Sequence, residues 1–466
     1  MRTKPEHVYV PESFDPKTAL PPDLQKHADS ARYFLHRIIW GNVQKARTLE
    51  GYVPLKFDYL KDVIPSRALK PLKTALIDNG VIECDGYYQE GVKSLGFRLT
   101  PEYRAARITR IALAGKTATK LATVRRAEAK KLRLPVHRYL RNHLNQLEID
   151  LPLALSLLRD HPHFDMVKIP VEQIALKELS PSVCRFGRFH SALTRCPKKV
   201  RRALHVQGER LVGIDIANSQ PLFLGLILIN FRRYGRKCFA FVSFTNTSSN
   251  PYKTIEELIS DTVLPFPEQE IFPSSSTSPI PTASITTRKA RSKEKESLND
   301  RGFTTQTIAP KQKLVNKGNL KADEREYVQL CESGQLYETL MEAMEVMSRR
   351  WIKEQFFGVI YGKNQVQSEL KTRFRELFPN VAAVIQELKR KDYRFLPCLM
   401  QNLESHFIIN MVCGRLMTEL PQAPVFTIHD SILTTRRYVD RVEATLREEF
   451  TRLGLSPTLH SECYDS

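Results

Sequence analysis

The chain has 466 residues and carries 71 lysines and arginines against 51 aspartates and glutamates, a formal net charge of +20. Single cores stop growing near about 250 to 300 residues, so this length allows two to four domains and an enzyme-sized site, and the charge surplus calls for an anionic partner, nucleic acid first. No apolar run approaches the roughly 18 residues of a spanning helix and the start MRTKPEHVYV is no signal peptide, so the expectation is a cytoplasmic protein with no membrane partner.

Residues 1–30 read as an N-terminal tail. From Ala31 to Leu99, within a unit set at 31–100, the pattern runs helix, helix, helix and then two strands. The third helical stretch, PSRALKPLKTALIDNGVIE, puts Leu69, Leu72 and Leu76 on one face and Arg67, Lys70 and Lys73 on another, and Asn79-Gly80 stops it. VIECDGYY and KSLGFRLT are expected as strands joined by Gln89-Glu90-Gly91. This order resembles a winged helix, a module that binds DNA with its basic helix and wing, or docks a protein, here a replication protein.

Residues 101–183 form a basic, helical, thumb-like segment. Between Arg104 and Arg141 twelve Lys or Arg residues face a single acid, Glu128, in long helical patterns. A solvated face mixes both signs, so this ratio favours phosphate neutralisation. Residues 184–242 hold the apolar strand of ERLVGIDIANSQPLFLGLIL, with Asp215 at its tip. Residues 243–321 shift to Ser, Thr, Pro and Lys and are expected as a disordered insertion with a short helix near Thr254 to Ser260. The eight cysteines lie far apart without a CxxC pair and are expected as reduced thiols.

Residues 322–395 contain SRRWIKEQFFGVIYGKN, which spaces Arg349, Lys353, Phe357 and Tyr361 by four. Each step of four drifts about 40° around a helix, so the four side chains share one stripe, two cations followed by two aromatics. That order suits a triphosphate followed by a sugar and base. In residues 396–466, APVFTIHDSILTT reads as a hairpin of Val425 to Ile428 and Ile432 to Thr435 with His429-Asp430-Ser431 at its tip. VDRVEATLREEFTRLGL follows as an amphipathic helix with Val439, Val442, Leu446, Phe450 and Leu453 inward. Copying a template takes two divalent cations about 3.5 to 4 Å apart, held by carboxylates, and Asp215 and Asp430 are the candidates.

The stripe R-x3-K-x3-F-x3-Y-G resembles the nucleotide-binding fingers helix of family A polymerases of the DNA polymerase I type. FGRFHS at Phe186 to Ser191 with VRRAL at Val200 to Leu204 resembles the family's T-G-R-x-S-S block and later Arg, and PCLMQNLESHFIINMVCGRLM resembles the helix before its second catalytic aspartate. The blocks keep the family's order from Cys184 onward, outside the insertion.

The resemblance implies an α+β right hand, with an antiparallel palm sheet and helical fingers and thumb behind the winged-helix-like unit. It implies two Mg2+ ions on Asp215 and Asp430, Arg349 and Lys353 on the triphosphate, and Phe357 and Tyr361 against sugar and base. Arg188, Gln401, His429 and either Arg201 or Arg202 would contact the primer-template.

Two features depart from the family. Asp215 is followed by Ile-Ala-Asn before Ser219-Gln220, so the family's sugar-gating Glu falls on Leu222 when Ser-Gln is aligned and on Gln220 when the aspartate is aligned. The second block ends in Ser431, as in phage-type single-subunit RNA polymerases. The resemblance implies DNA-directed DNA synthesis from nucleoside triphosphates in replication or repair, without proofreading because no exonuclease fits before Arg188. The alternatives are an RNA polymerase or primase-like enzyme and an inactive DNA-binding replication initiator.

Overall fold

The computed structural model describes residues 5–44, 49–90, 93–235 and 317–464. The insertion expected at 243–321, with its short helix near residue 254, lies outside the described residues except for its last few positions, and so does Gly91. Among the described residues the fold is mixed α+β and every sheet is antiparallel.

The first core begins where a tail was expected. Strand β1 (His7–Pro11) buries Val8, Tyr9 and Val10, and α1 (Ala28–Gln44) packs beside it with Phe34, Leu35, Ile38 and Ile39 fully buried. The Tyr9 N–H donates to Nδ1 of the buried His36 at 3.2 Å, and burial holds that imidazole neutral by lowering its pKa. Apolar residues at positions 8 to 10 therefore act as core, which a polar flanking sequence concealed.

Next come β2 (Val53–Pro54), α2 (Phe57–Lys61), α3 (Ser66–Asp78), β3 (Ile82–Cys84) and β4 (Gly96–Leu99). Helix α3 turns Leu69, Leu72 and Leu76 into the core, leaves Arg67 and Lys70 exposed and Lys73 half-exposed, and ends at Asn79, with Gly80 at φ 65° beyond it. Left-handed backbone of that kind suits glycine after a helix. The strands are shorter than expected and gain a third member, β2, in the order β2-β4-β3.

The basic stretch is not continuously helical: Ile108–Ala112 is strand β5, paired with β1 from His7↔Ala112 to Pro11↔Ile108. Its β-branched and apolar residues find a partner strand, and tertiary pairing overrides a helical reading of the spacing. The helices that follow divide between two cores. In α4 (Gly115–Ala129), Leu121 joins the first core, while in α5 (Pro135–Gln146), Val136, Tyr139, Leu140 and Leu144 join the second. Arg110 and Arg125 are tied to Glu178 and Glu6, whereas Lys116, Lys120, Arg126, Lys130, Arg133 and Arg138 are exposed.

The second core therefore starts near residue 132 rather than at 184. Its sheet contains β6 (Glu148–Ile149), and two short strands, β7 (Ser182–Val183) and β8 (Phe189–His190), form a separate hairpin. Strands β9 (Leu204–Val206) and β10 (Glu209–Ile216) continue the main sheet, in which β10 is the central strand. After a left-handed Asn218 (φ 50°), α6 (Ser219–Tyr234) runs back with Leu222, Phe223, Leu224, Ile227 and Leu228 fully buried.

Beyond the undescribed stretch, α7 (Ala322–Ser333) is fixed to α6 in two ways. The fully buried Glu324 takes a forked pair of bonds from Arg232, and the Tyr327 hydroxyl donates to the Pro221 carbonyl at 3.1 Å. Helices α8 (Leu336–Ala343), α9 (Arg349–Tyr361), α10 (Glu369–Leu377) and α11 (Pro379–Leu388) follow. Lys389 is buried and donates to the Val359 and Gly362 carbonyls at 2.7 and 2.9 Å, satisfying the open C-terminal end of α9.

Helix α12 (Phe395–Ser405) passes into a π-helical stretch, His406–Cys413. The hairpin β11 (Phe426–Ile428) and β12 (Ser431–Thr435), helix α13 (Val439–Arg452) and β13 (Leu459–Cys463) complete the chain. Phe407 meets Phe450 at 4.1 Å and Phe223 at 5.9 Å, so α13 packs under the sheet as its Val442, Leu446 and Phe450 spacing implies. Among the described residues no helix is long and apolar enough to cross a membrane, and no disulfide is present.

Candidate functional site

Asp215 was expected to leave the tip of its strand, but it lies inside β10, which extends to Ile216 and pairs Asp215 with His460 of β13. Its flanks Ile214 and Ile216 are buried while its own side chain faces the opposite way, as the two-residue period of a strand requires. On the other edge β12 pairs Ile214 with Ile432, which brings Ser431 opposite Asp215. The Ser431 hydroxyl donates to Asp215 Oδ1. Asp430 precedes Ser431 in a turn of two residues, since Ile428 pairs with Ser431. The first turn residue, His429, has φ 56°, a conformation that non-glycine residues enter at some cost.

Burial first, and the neighbouring Asp430 carboxylate second, push the Asp215 carboxyl above the usual range, with Arg201 and Lys198 opposing. Two facing acids in a partly dry site are short of positive charge.

The opposite wall is α9. The Ser348 hydroxyl accepts from the Trp351 N–H at its start, and Ile352, Phe356, Val359 and Ile360 anchor its buried face. Arg349, Lys353, Phe357 and Tyr361 all line a single cleft of about 740 Å3 together with Asp215, Asp430, His429, Arg188 and Gln401. Nine of the eleven residues singled out from the sequence thus border one space. Phe357 and Tyr361 stack at 5.4 Å with rings 5° apart, and Arg349 bonds Glu338 at 2.6 Å while lying over Tyr337.

Arg201 and Arg202 do not line the cleft. Arg201 donates to the Tyr464 hydroxyl at 3.0 Å and acts electrostatically on Asp215 and His429, whereas Arg202 is exposed. Gly213 of β10 leaves room for that tyrosine, because a Cβ there would collide with the Tyr464 hydroxyl.

A buried polar chain joins the walls. Tyr361 donates to Gln220 Oε1 at 2.6 Å, Gln220 Nε2 donates to Glu404, and Arg188 donates to Glu404 Oε1 at 2.9 Å. Glu404 is 2 % exposed, and burial pushes its carboxyl up to about 7 against the pull of Arg188. Arg188 reaches it from the tip of the β7–β8 hairpin, which turns at Gly187 (φ 81°) and is pinned to α12 by the Ser405 hydroxyl on the Phe186 carbonyl. Gln220 borders the cleft, whereas Leu222 is fully buried.

Glu404, Tyr337 and His460 line the cleft without having been singled out, and so does Gln220, named only as one of two positions for the family's Glu. Glu404 had a sequence signal, since it stands one helical turn after Gln401. His460 had none, because only the pairing of β13 with β10 brings it to Asp215.

Among the described residues no group of three or more acidic, histidine or cysteine side chains could hold a metal ion. The aspartate pair still fits a hard divalent cation, which takes oxygen ligands and draws the remainder from water and phosphates. The chain matches no protein-family model, no curated protein and no solved structure.

Proposed function

We propose that this chain is a template-directed nucleotidyltransferase of the family A polymerase kind, most directly a DNA-dependent DNA polymerase. One observation carries the reading. Asp215 on strand β10 and Asp430 in the β11–β12 turn line one cleft together with a helix stripe of Arg349, Lys353, Phe357 and Tyr361. The carboxylates suit divalent cations and the cations suit a triphosphate, and a nucleotide with bound Mg2+ presents both faces at once.

Asp215 and Asp430 would hold the two Mg2+ ions, which lower the charge on the transferring phosphoryl group and on the attacking hydroxyl. Lys353 and Arg349 would offset the charge that builds on the triphosphate. The stacked Phe357 and Tyr361 would wall the base and sugar. His429, Gln401 and Arg188 would orient the primer end, with Arg201 acting through Asp215 rather than by contact.

In this reading the sheet around β10 is the palm, helices α7 to α11 the fingers, and the basic 104–141 segment a phosphate-binding thumb. The α1–α3 and β2–β4 unit would be a winged helix that recruits DNA or a replication protein. Ribonucleotide use is the second reading. It draws on Ser431 after the aspartate and on Gln220, a neutral amide, where the family's DNA enzymes place Glu.

Magnesium-dependent extension of a primed DNA template, with each nucleotide pool offered separately, tests both readings. Extension from deoxynucleotides is expected. Efficient synthesis from ribonucleotides alone would move the assignment to an RNA polymerase, and no extension from either pool would leave a DNA-binding initiator.

A further inference from the structure

Among the described residues the three most exposed tyrosines all belong to the N-terminal unit. Tyr59 of α2 is 62 % exposed, and Tyr87 and Tyr88, between β3 and β4, are 55 % and 63 % exposed. Lysines alternate with them: Lys56 lies 6.0 Å from the Tyr59 ring and Lys93 lies 4.3 Å from the Tyr87 ring. Lys56, Tyr88 and Lys93 border one open cleft of about 510 Å3, and the Tyr59 and Tyr87 rings lie beside its two lysines.

Two of the acids nearby, Asp85 and Asp58, already have partners, while Glu90 is exposed. Asp85 accepts from Lys93 at 2.6 Å, from the Gly96 N–H at 2.9 Å and from the Tyr87 N–H at 3.2 Å, and Asp58 accepts from Lys61 at 3.0 Å. The Asp85 bonds fix the turn that displays Tyr87 and Tyr88. Gly96 is needed there, because a Cβ would collide with the Asp85 carboxylate.

We propose that this surface binds an unpaired strand of DNA, with bases stacking on Tyr59, Tyr87 and Tyr88 and the phosphates between them meeting Lys56 and Lys93. Paired bases keep their faces inside the duplex, so exposed rings set between cations are matched to single strands, and stacking on aromatics is tolerant of sequence. A chain with net charge +20 supplies the long-range attraction. This site is separate from the groove contact expected of α3, none of whose residues lines the cleft.

Equilibrium binding of the full chain to a fluorescent oligo-dT and to a blunt duplex, without nucleotide or metal, tests the site independently of any catalysis. The triple variant Tyr59→Ala, Tyr87→Ala, Tyr88→Ala is expected to lose about tenfold or more in oligo-dT affinity while duplex affinity stays within about twofold. The triple Tyr→Phe variant keeps the rings and should bind oligo-dT like the parent. Parental oligo-dT affinity in the alanine variant, an equal loss on duplex, or an equal loss in the phenylalanine variant would each overturn the proposal.

Discussion

On the sheet wall of the cleft, Asp215 and Asp430 are set by strand register and a two-residue turn and are partly buried, and burial with the neighbouring charge raises the Asp215 carboxyl. On the helix wall, Arg349 and Lys353 are exposed, Arg349 paired with Glu338, and their helix is held through its opposite face and its ends. One wall is fixed in place before any ligand arrives, while the other offers long, solvated side chains that take up their positions around one. A site that must place two cations closely benefits from the first construction, and one that must admit and release nucleotides benefits from the second.

The largest effect should come from the fixed wall. Asp215→Asn or Asp430→Asn is expected to lower incorporation by about a thousandfold or more, with DNA binding nearly intact. Because the Asp215 carboxyl is held above its usual range, its ionised form costs stability at neutral pH, so Asp215→Asn should melt at or above the parental temperature. Ordinary activity in Asp430→Asn would dismantle the contrast between the walls. Lys353→Ala comes next, raising the KM for nucleotide by about tenfold without moving the melting temperature, as fits an exposed charge. A clear loss of stability there would mean that the helix wall is also rigidly built.

Magnesium separates the walls without a kinetic assay. Saturating Mg2+ should raise the melting temperature of the parent, since an ion bound only by the folded state stabilises it by about 2.7 kcal/mol at a hundred times its Kd. Asp215→Asn should lose that shift and Lys353→Ala should retain it. Equal shifts in all three proteins would place the ion elsewhere.

Glu404 gives a pH signature. Its carboxyl titrates near 7 when folded, so between the ordinary carboxylate range and about 7 the folded state holds a proton that the unfolded state has released. Stability from this group therefore falls as pH rises through that window and levels off above it. Glu404→Gln should flatten the slope of melting temperature against pH between about 5 and 7, and an unchanged slope would show that another group titrates there.

How much of this was legible before the fold was known follows from how far each signal reaches along the chain. The Arg349 to Tyr361 stripe was plain because helical spacing is local, and the His429-Asp430 turn because its strands adjoin it. The position of Asp215 within β10, the membership of Val8 to Val10 in a core and the arrival of His460 beside Asp215 all depend on strand pairings across tens to hundreds of residues, which one sequence does not print. The strand Ile108–Ala112 was hidden for the same reason, its partner being at the N-terminus.

The smallest predicted effect bears on whether the two walls are independent at all. Tyr361, on the helix wall, donates to Gln220, which continues through Glu404 to Arg188 on the hairpin. Tyr361→Phe removes one hydrogen bond, worth about 1 kcal/mol, and leaves the ring stacked on Phe357. It should lower the melting temperature slightly and keep kcat within a few-fold. Its larger consequence should be on sugar choice, because a Gln220 amide freed at its oxygen can turn toward the nucleotide. The ratio of deoxynucleotide to ribonucleotide incorporation should then shift by a few-fold while Lys353→Ala leaves that ratio unchanged. If Tyr361→Phe and Lys353→Ala move KM alike and leave the ratio alone, the polar chain only props the helix, and the walls act separately.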